Sequence, residues 1–143
     1  MTSAPSALQL DTPTAFAAIA LAAVSWDGVL TMAGSRSLRH ALDYRKPFSE
    51  YDDARMVRLM DDLLAQLRLK GAQHLMVEAA EVLSPRQRGT AYAMATEIMR
   101  SDGPLQADEC NILSNLAGVL ELDAELAASV AMVMDVLHAD LAE

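Results

Sequence analysis

Hydrophobic residues recur along this chain at helical spacing. Within residues 52–70 the apolar positions fall three and four residues apart, with charged residues between them: Met56, Val57, Leu59, Met60, Leu63, Leu64 and Leu67. This spacing places them on one face of an amphipathic helix. Comparable patterns elsewhere, with no convincing strand, predict an all-α bundle of about seven helices, near residues 13–26, 32–43, 52–70, 73–83, 85–100, 106–120 and 123–139.

Capping residues and breakers mark the predicted boundaries. Thr12-Pro13 and Ser84-Pro85 each combine an N-cap residue with a proline at the first helical position. The segment 1–12 is rich in Ser, Thr, Pro and Ala and predicts a flexible leader, which leaves 13–143 as a single helical domain. The helix at 13–26 is nearly uncharged, so we expect it to be the central, buried one.

Two Asp-Gly pairs suggest an internal duplication. Asp27-Gly28 and Asp102-Gly103 lie 75 residues apart, and each is followed two residues later by a leucine. Each also follows an apolar helix and precedes another predicted helix. The chain is therefore predicted to contain two halves, about 13–72 and 73–143, packed around a pseudo-twofold axis.

The composition excludes several classes of protein. The 143 residues include 52% hydrophobic residues and one cysteine, which excludes a disordered chain and an internal disulfide framework. The apolar stretch at 15–24 is about ten residues long, whereas a membrane-spanning helix needs about 20. No basic segment precedes that stretch, so the sequence predicts a cytoplasmic protein with no direct membrane insertion.

The negative charge is concentrated at one end of the sequence. The net charge is −9, and residues 101–143 contain nine acidic side chains but no Lys or Arg. This acidic third would repel a phosphate backbone, so nucleic-acid binding is not expected. It leaves a cation or a basic protein partner as a candidate ligand, although acidic faces also simply keep a helical bundle soluble. The sequence leaves both a monomer and a homodimer open.

The strongest candidate for chemistry is the segment 101–109, which places Asp102, Asp108 and Glu109 around a turn and a helix start. Hard divalent cations prefer several such oxygen ligands. The segment is not an EF-hand loop, because Ile98 and Arg100 occupy the first and third ligand positions. The candidate metal residues are Asp102, Glu109, Asp27 and Glu97.

The same acidic residues also have an interpretation without metal. Asp-Gly is a common helix-ending turn, and acidic residues in the first turn of a helix are favoured by about 0.3–1 kcal/mol. The sequence contains no nucleophile–base motif and no phosphate-binding loop, so a non-enzymatic protein is predicted, with no catalytic residues. Arg36, Arg39, Arg45 and Lys46 could form a small anion site, but nearby acidic residues favour a solvated face.

The repeated pattern of a helix, an Asp-Gly turn, a hydrophobic anchor and an acidic helix start resembles the TerB-like tellurite-resistance family. The resemblance is strongest over residues 92–123 and extends over about 16–137. It implies a compact all-α fold and a divalent-metal site (Ca²⁺, Mg²⁺, Mn²⁺ or Zn²⁺) at Asp102, Glu109 and Asp27. Gly34 departs from the pattern, which has an acidic residue at this position. The resemblance also implies a role in tellurite resistance or stress response, with protein partners that are often membrane-associated.

Overall fold

The computed structural model describes residues 10–101 and 103–142. Over these residues the chain forms seven α-helices and no strand, which confirms the all-α prediction. A short 3₁₀ turn, Phe48–Glu50, lies between the second and third helices. The helices are α1 (Thr12–Val24), α2 (Met32–Asp43), α3 (Asp53–Lys70), α4 (Ala72–Val82), α5 (Pro85–Arg100), α6 (Ala107–Val119) and α7 (Ala124–Leu137).

The first helix differs from its prediction at both ends. Its N-cap is Asp11, whose Oδ1 accepts a hydrogen bond from the Thr14 backbone N–H at 2.9 Å, so Thr12 is already helical. The helix ends at Val24 rather than residue 26. Of the predicted leader, residues 1–9 lie outside the described residues, but Leu10 packs against the core. Because Asp11 rather than Thr12 is the cap, α1 begins one residue before the predicted start at Pro13.

Helix α1 is the centre of the bundle, as predicted. All ten residues from Thr14 to Ala23 are buried, and the helix contacts α2, α3, α4, α5 and α6. Six of these ten residues are alanines, whose small side chains let neighbouring helices approach closely. No helix within the described ranges is both long and apolar enough to cross a membrane.

Arg88 connects the C-terminal ends of two helices. Its Nε–H lies 3.0 Å from the carbonyl oxygen of Ala80 and 3.1 Å from that of Leu83, at the end of α4. Its Nη1 lies 3.5 Å from the carbonyl oxygen of Leu120, the C-cap of α6. Carbonyls at a helix C-terminus lack helical partners, so a single guanidinium from α5 satisfies groups on both α4 and α6.

The helix starts follow the spacing of the predicted repeat. Met32 begins α2 and Ala107 begins α6, 75 residues apart, the same separation as between the two Asp-Gly pairs. Helix α2 follows α1 as α6 follows α5, across a loop of similar length. The pseudo-twofold duplication itself stays a prediction.

Candidate functional site

A cleft of ≈ 670 Å³ lies between the α1–α2 turn and the α5–α6 turn, and we call it the Asp-Gly cleft. It is lined by the C-terminal ends of α1 and α5 and by the first turns of α2 and α6. Asp27 lines it from one side and Asp108 and Glu109 from the other. The fold thus brings two of the predicted metal residues, Asp27 and Glu109, to one cleft. Asp102 lies outside the described residues.

The two predicted metal residues in this cleft, Asp27 and Glu109, already have local structural roles. Asp27 Oδ1 accepts a hydrogen bond from the Val29 backbone N–H at 3.0 Å. Glu109 Oε1 accepts from the Gln106 N–H at 2.9 Å and so closes a capping box at the start of α6. Neither side chain belongs to an ion pair within residues 10–101 and 103–142. One oxygen of each carboxylate is therefore available for another ligand.

The donor set of the cleft is only partly suited to a metal ion. Gln106, Asn111 and Asn115 add side-chain oxygens to its lining, which hard cations accept as ligands. However, within the part of the chain that the structure describes, no group of three or more His, Cys, Asp or Glu is placed to hold a metal ion. A cation here would therefore need a further carboxylate, and Asp102 is the sequence candidate for it.

Gly34 has a structural role in the first turn of α2. The Thr31 hydroxyl caps α2 by accepting a hydrogen bond from the Gly34 N–H at 3.0 Å. A Cβ at position 34 would lie 3.1 Å from this hydroxyl oxygen, so a larger side chain would crowd the cap. The cleft wall at this position is therefore backbone rather than a carboxylate.

Glu97 lines a different cavity from Asp27 and Glu109. It lines a neighbouring groove between α2, α5 and the end of α7, and Ser37 and Ile98 line both cavities. The sequence predicted that a carboxylate on this apolar helix would need a partner or a proton. The side chain is instead exposed, so water can solvate its charge. Its position in the bundle does not support a place in the Asp-Gly cleft.

Helix α7 carries a feature that the sequence analysis missed. Four apolar residues on one arc of the helix are more than half exposed, and we call this surface the α7 apolar face: Met132, Val133, Val136 and Leu137. No residue of α7 is buried, although its mean hydropathy is high. The opposite side, with Ala127 and Val130, packs mainly on α5. The apolar composition of α7 was the sequence signal for this surface, besides the absence of basic residues after Arg100.

Acidic residues border the α7 apolar face. Glu125 precedes it and Asp140 follows it, and both are exposed. Asp135 lies beside it, 3.4 Å from Arg100 Nε, which neutralises part of its charge. The surface is thus an apolar strip with a negative border, a combination that suits a partner with an apolar centre and basic edges.

Among the residues that the structure describes, Tyr92 has a clearly shifted pKa. Burial raises the pKa of Tyr92 in α5, the Thr96 hydroxyl opposes the shift, and the thiol of Cys110 adds to it. Cys110 itself is a free cysteine and is exposed. Tyr92 does not line the Asp-Gly cleft, so its shift bears on stability rather than on this candidate site.

The chain was also compared with known proteins. No protein-family model, no curated protein and no solved structure matches it.

Proposed function

We propose that this chain is a non-catalytic, TerB-like helical module that binds a partner protein through α7. The partner is an amphipathic helix with an apolar stripe and Lys or Arg at its edges. The observation that carries this proposal is the α7 apolar face, where Val136 is 74% and Met132 63% exposed. A contiguous exposed apolar surface is typical of an interaction site.

Charge decides between a basic partner helix and a second copy of this chain. A second α7 would bring its own Glu125 and Asp140 close to the acidic residues of the first copy. Like charges across an interface disfavour association. A basic helix places opposite charges at these positions and apolar residues on the strip. An amphipathic helix that lays its apolar face on an apolar surface of another protein is a recurring mode of recognition.

The test uses a synthetic 18-residue peptide with Leu on one helical face and Lys on the other, labelled for fluorescence anisotropy. We expect it to bind the full chain, and an equivalent Leu/Glu peptide not to bind. The double variant Met132→Ser/Val136→Ser should weaken binding by about tenfold, since losing apolar contact removes about 0.8 kcal/mol per buried CH₂. Raising the salt concentration should also weaken it.

The matched control is Val57→Ser, because Val57 is 50% exposed on α3 and remote from α7. Equal affinity of the α7 double variant and the Val57→Ser variant would refute the proposal. So would sedimentation showing that wild type is a stable dimer that dissociates in the Val136→Ser variant, since a second copy would then cover the α7 apolar face.

A divalent cation in the Asp-Gly cleft is a second candidate function. The specific observation in its favour is that Asp27 and Glu109, 82 residues apart in sequence, line the same cleft. The cation would be held by these two carboxylates together with Asp102, and it would link the two turns. This second proposal includes a role in tellurite resistance or stress response, which rests on the resemblance to the TerB-like family.

Thermal melting of chelator-treated protein tests the cation site, with Ca²⁺, Mg²⁺, Mn²⁺ or Zn²⁺ added back. One ion should raise the Tm of wild type by a few degrees, because a ligand that binds only the folded state stabilises it. Glu109→Gln and Asp102→Asn should abolish the rise, and Asp61→Asn on the exposed side of α3 should preserve it. The Glu109→Gln variant retains a side-chain oxygen at position 109 that can accept the hydrogen bond from the Gln106 N–H. An equal rise in all four proteins would exclude this site.

A further inference from the structure

Met132 lies where a change in its own chemistry would change the α7 apolar face. Its side chain is 63% exposed, and Val136 lies one turn further along the same side of the helix. In the proposed complex, the apolar stripe of the partner helix contacts this thioether. A thioether packs well against apolar groups because it is flexible and polarisable. The same sulfur is also an atom that a two-electron oxidant can attack.

Exposure separates Met132 from most of the other methionines. Met134, also on α7, is partly buried. Five others are buried, with exposed fractions of 8% or less: Met56, Met60, Met76, Met94 and Met99. Within residues 10–101 and 103–142, only Met32 and Met132 are exposed. Because an oxidant must reach the sulfur, we expect these two methionines to react first.

The two exposed sulfurs have different surroundings. Arg36 Nη2 lies 3.7 Å from the sulfur of Met32, so a guanidinium N–H contacts a sulfur lone pair. Oxidation uses such a lone pair and develops positive charge on the sulfur, so a neighbouring cation slows it. In the part of the chain that the structure describes, no donor contacts the Met132 sulfur in this way. We therefore expect Met132 to be oxidised faster, although Met32 is more exposed at 73%.

The charge around the α7 apolar face favours an uncharged oxidant. Glu125 and Asp140 are exposed at its two ends, and residues 101–143 contain nine acidic side chains and no Lys or Arg. This negative potential lowers the local concentration of anionic oxidants. Hydrogen peroxide is uncharged near neutral pH, so the acidic border does not repel it.

We propose that hydrogen peroxide oxidises Met132 to methionine sulfoxide and that this modification switches off binding of the basic partner helix. The sulfur lone pair attacks one peroxide oxygen, and the S–O bond forms as the O–O bond breaks. The leaving hydroxide takes the proton of the transferred oxygen and becomes water. The sulfur is thereby oxidised by two electrons and the peroxide is reduced by two.

The sulfoxide changes what this face can bind. Its oxygen is a hydrogen-bond acceptor, and the apolar stripe of the partner helix offers it no donor, so burying it is unfavourable. A sulfoxide reductase that uses a dithiol removes the oxygen as water and restores the thioether, which makes the switch reversible. This inference rests on the proposed function, because it regulates the same face.

Fluorescence anisotropy with the Leu/Lys peptide, before and after hydrogen peroxide, tests the switch. All proteins carry Cys110→Ser, so that the exposed thiol does not react. Mass spectrometry of proteolytic fragments follows the sulfoxide at positions 32 and 132. Oxidation of Met132 should weaken peptide binding by about tenfold, because a polar group is buried without a partner. A sulfoxide reductase with dithiothreitol should restore the affinity.

Met132→Leu is the decisive variant, because leucine has a similar volume and no sulfur. It should bind the peptide as tightly as its Cys110→Ser parent and keep that affinity after peroxide. The matched control Met32→Leu should stay as sensitive to peroxide as the parent. Arg36→Gln should speed the oxidation of Met32 and leave the rate at Met132 unchanged. Bound peptide should slow oxidation of Met132 but not of Met32.

Three results would overturn the switch while leaving the partner proposal intact. The first is unchanged peptide affinity once Met132 is fully oxidised. The second is an equal loss of affinity in the parent and in Met132→Leu, since other damage would then be the cause. The third is oxidation of Met132 at the same rate with and without bound peptide. Failure of the reduced parent to bind the Leu/Lys peptide would instead refute the proposed function, and this inference with it.

Discussion

Replacing Arg88 by methionine should destabilise this bundle far more than its position at the start of α5 suggests. Methionine keeps an unbranched apolar stem and a similar helix propensity, so the change mainly removes the guanidinium. The side chain of Arg88 is 19% exposed, and its donors reach the ends of α4 and α6. The substitution thus tests whether one side chain holds three helices together.

The magnitude follows from the geometry of the contacts. The Nε–H is shared between the carbonyls of Ala80 and Leu83, at 3.0 and 3.1 Å, so we count it as one charge-assisted bond of about 1.5–2 kcal/mol. The contact with the Leu120 carbonyl is long at 3.5 Å and adds about 0.5 kcal/mol. The pair with exposed Glu121 adds little in solvent. The free energy of unfolding should therefore fall by about 2 kcal/mol.

Urea denaturation followed by circular dichroism measures this change. A loss of 2 kcal/mol corresponds to a Tm lower by about 4–8 °C in a domain of this size. Arg86→Met is the matched control, because Arg86 is exposed two residues earlier in the same helix and should change stability by less than about 0.5 kcal/mol. Equal stabilities of the two variants would refute the argument that Arg88 satisfies helix C-termini.

Three further predictions concern the backbone, pH and local stability. Gly118→Ala should stabilise the protein by about 0.5–1 kcal/mol, because its Cβ would meet nothing within 4 Å in α6. Gly71→Ala should destabilise the protein, because Gly71 has φ +84°. Urea denaturation measures the change in the free energy of unfolding for both variants. Burial raises the pKa of Tyr92, so the folded state favours the neutral phenol. The stability that this preference contributes is complete below the ordinary tyrosine pKa of about 10 and is lost as the pH rises through the folded-state pKa. Stability measured from pH 9 to 11.5 should fall less steeply in Tyr92→Phe than in wild type, and Tyr44→Phe, at an 83% exposed position, should match wild type. Amide hydrogen exchange should be faster in α7 than in α1, because no residue of α7 is buried.

The Asp-Gly cleft shows how far sequence reasoning reaches toward a site. Two Asp-Gly pairs at a fixed separation predicted that Asp27 and Glu109 belong together, and the structure places both along one cleft. Glu97 has apolar neighbours in sequence, yet its side chain on α5 is exposed and lines a different groove from Asp27 and Glu109. Periodicity shows that a helix has an apolar face, but only packing shows which residues lie at the edge of that face.

Helices α1 and α7 make the same point from opposite directions. Both are Ala-rich and nearly free of basic residues, and a helix that is apolar on all sides is ordinarily buried. For α1 that rule holds, because five helices surround it. For α7 it fails within this chain, since only the side facing α5 has neighbours enough to cover it. Local sequence cannot separate the two cases, because burial depends on how many elements remain to pack against a helix once the core is full. The composition of α7 therefore becomes informative only with the fold in hand, and the apolar side that the described residues leave uncovered is the basis for the partner helix proposed above.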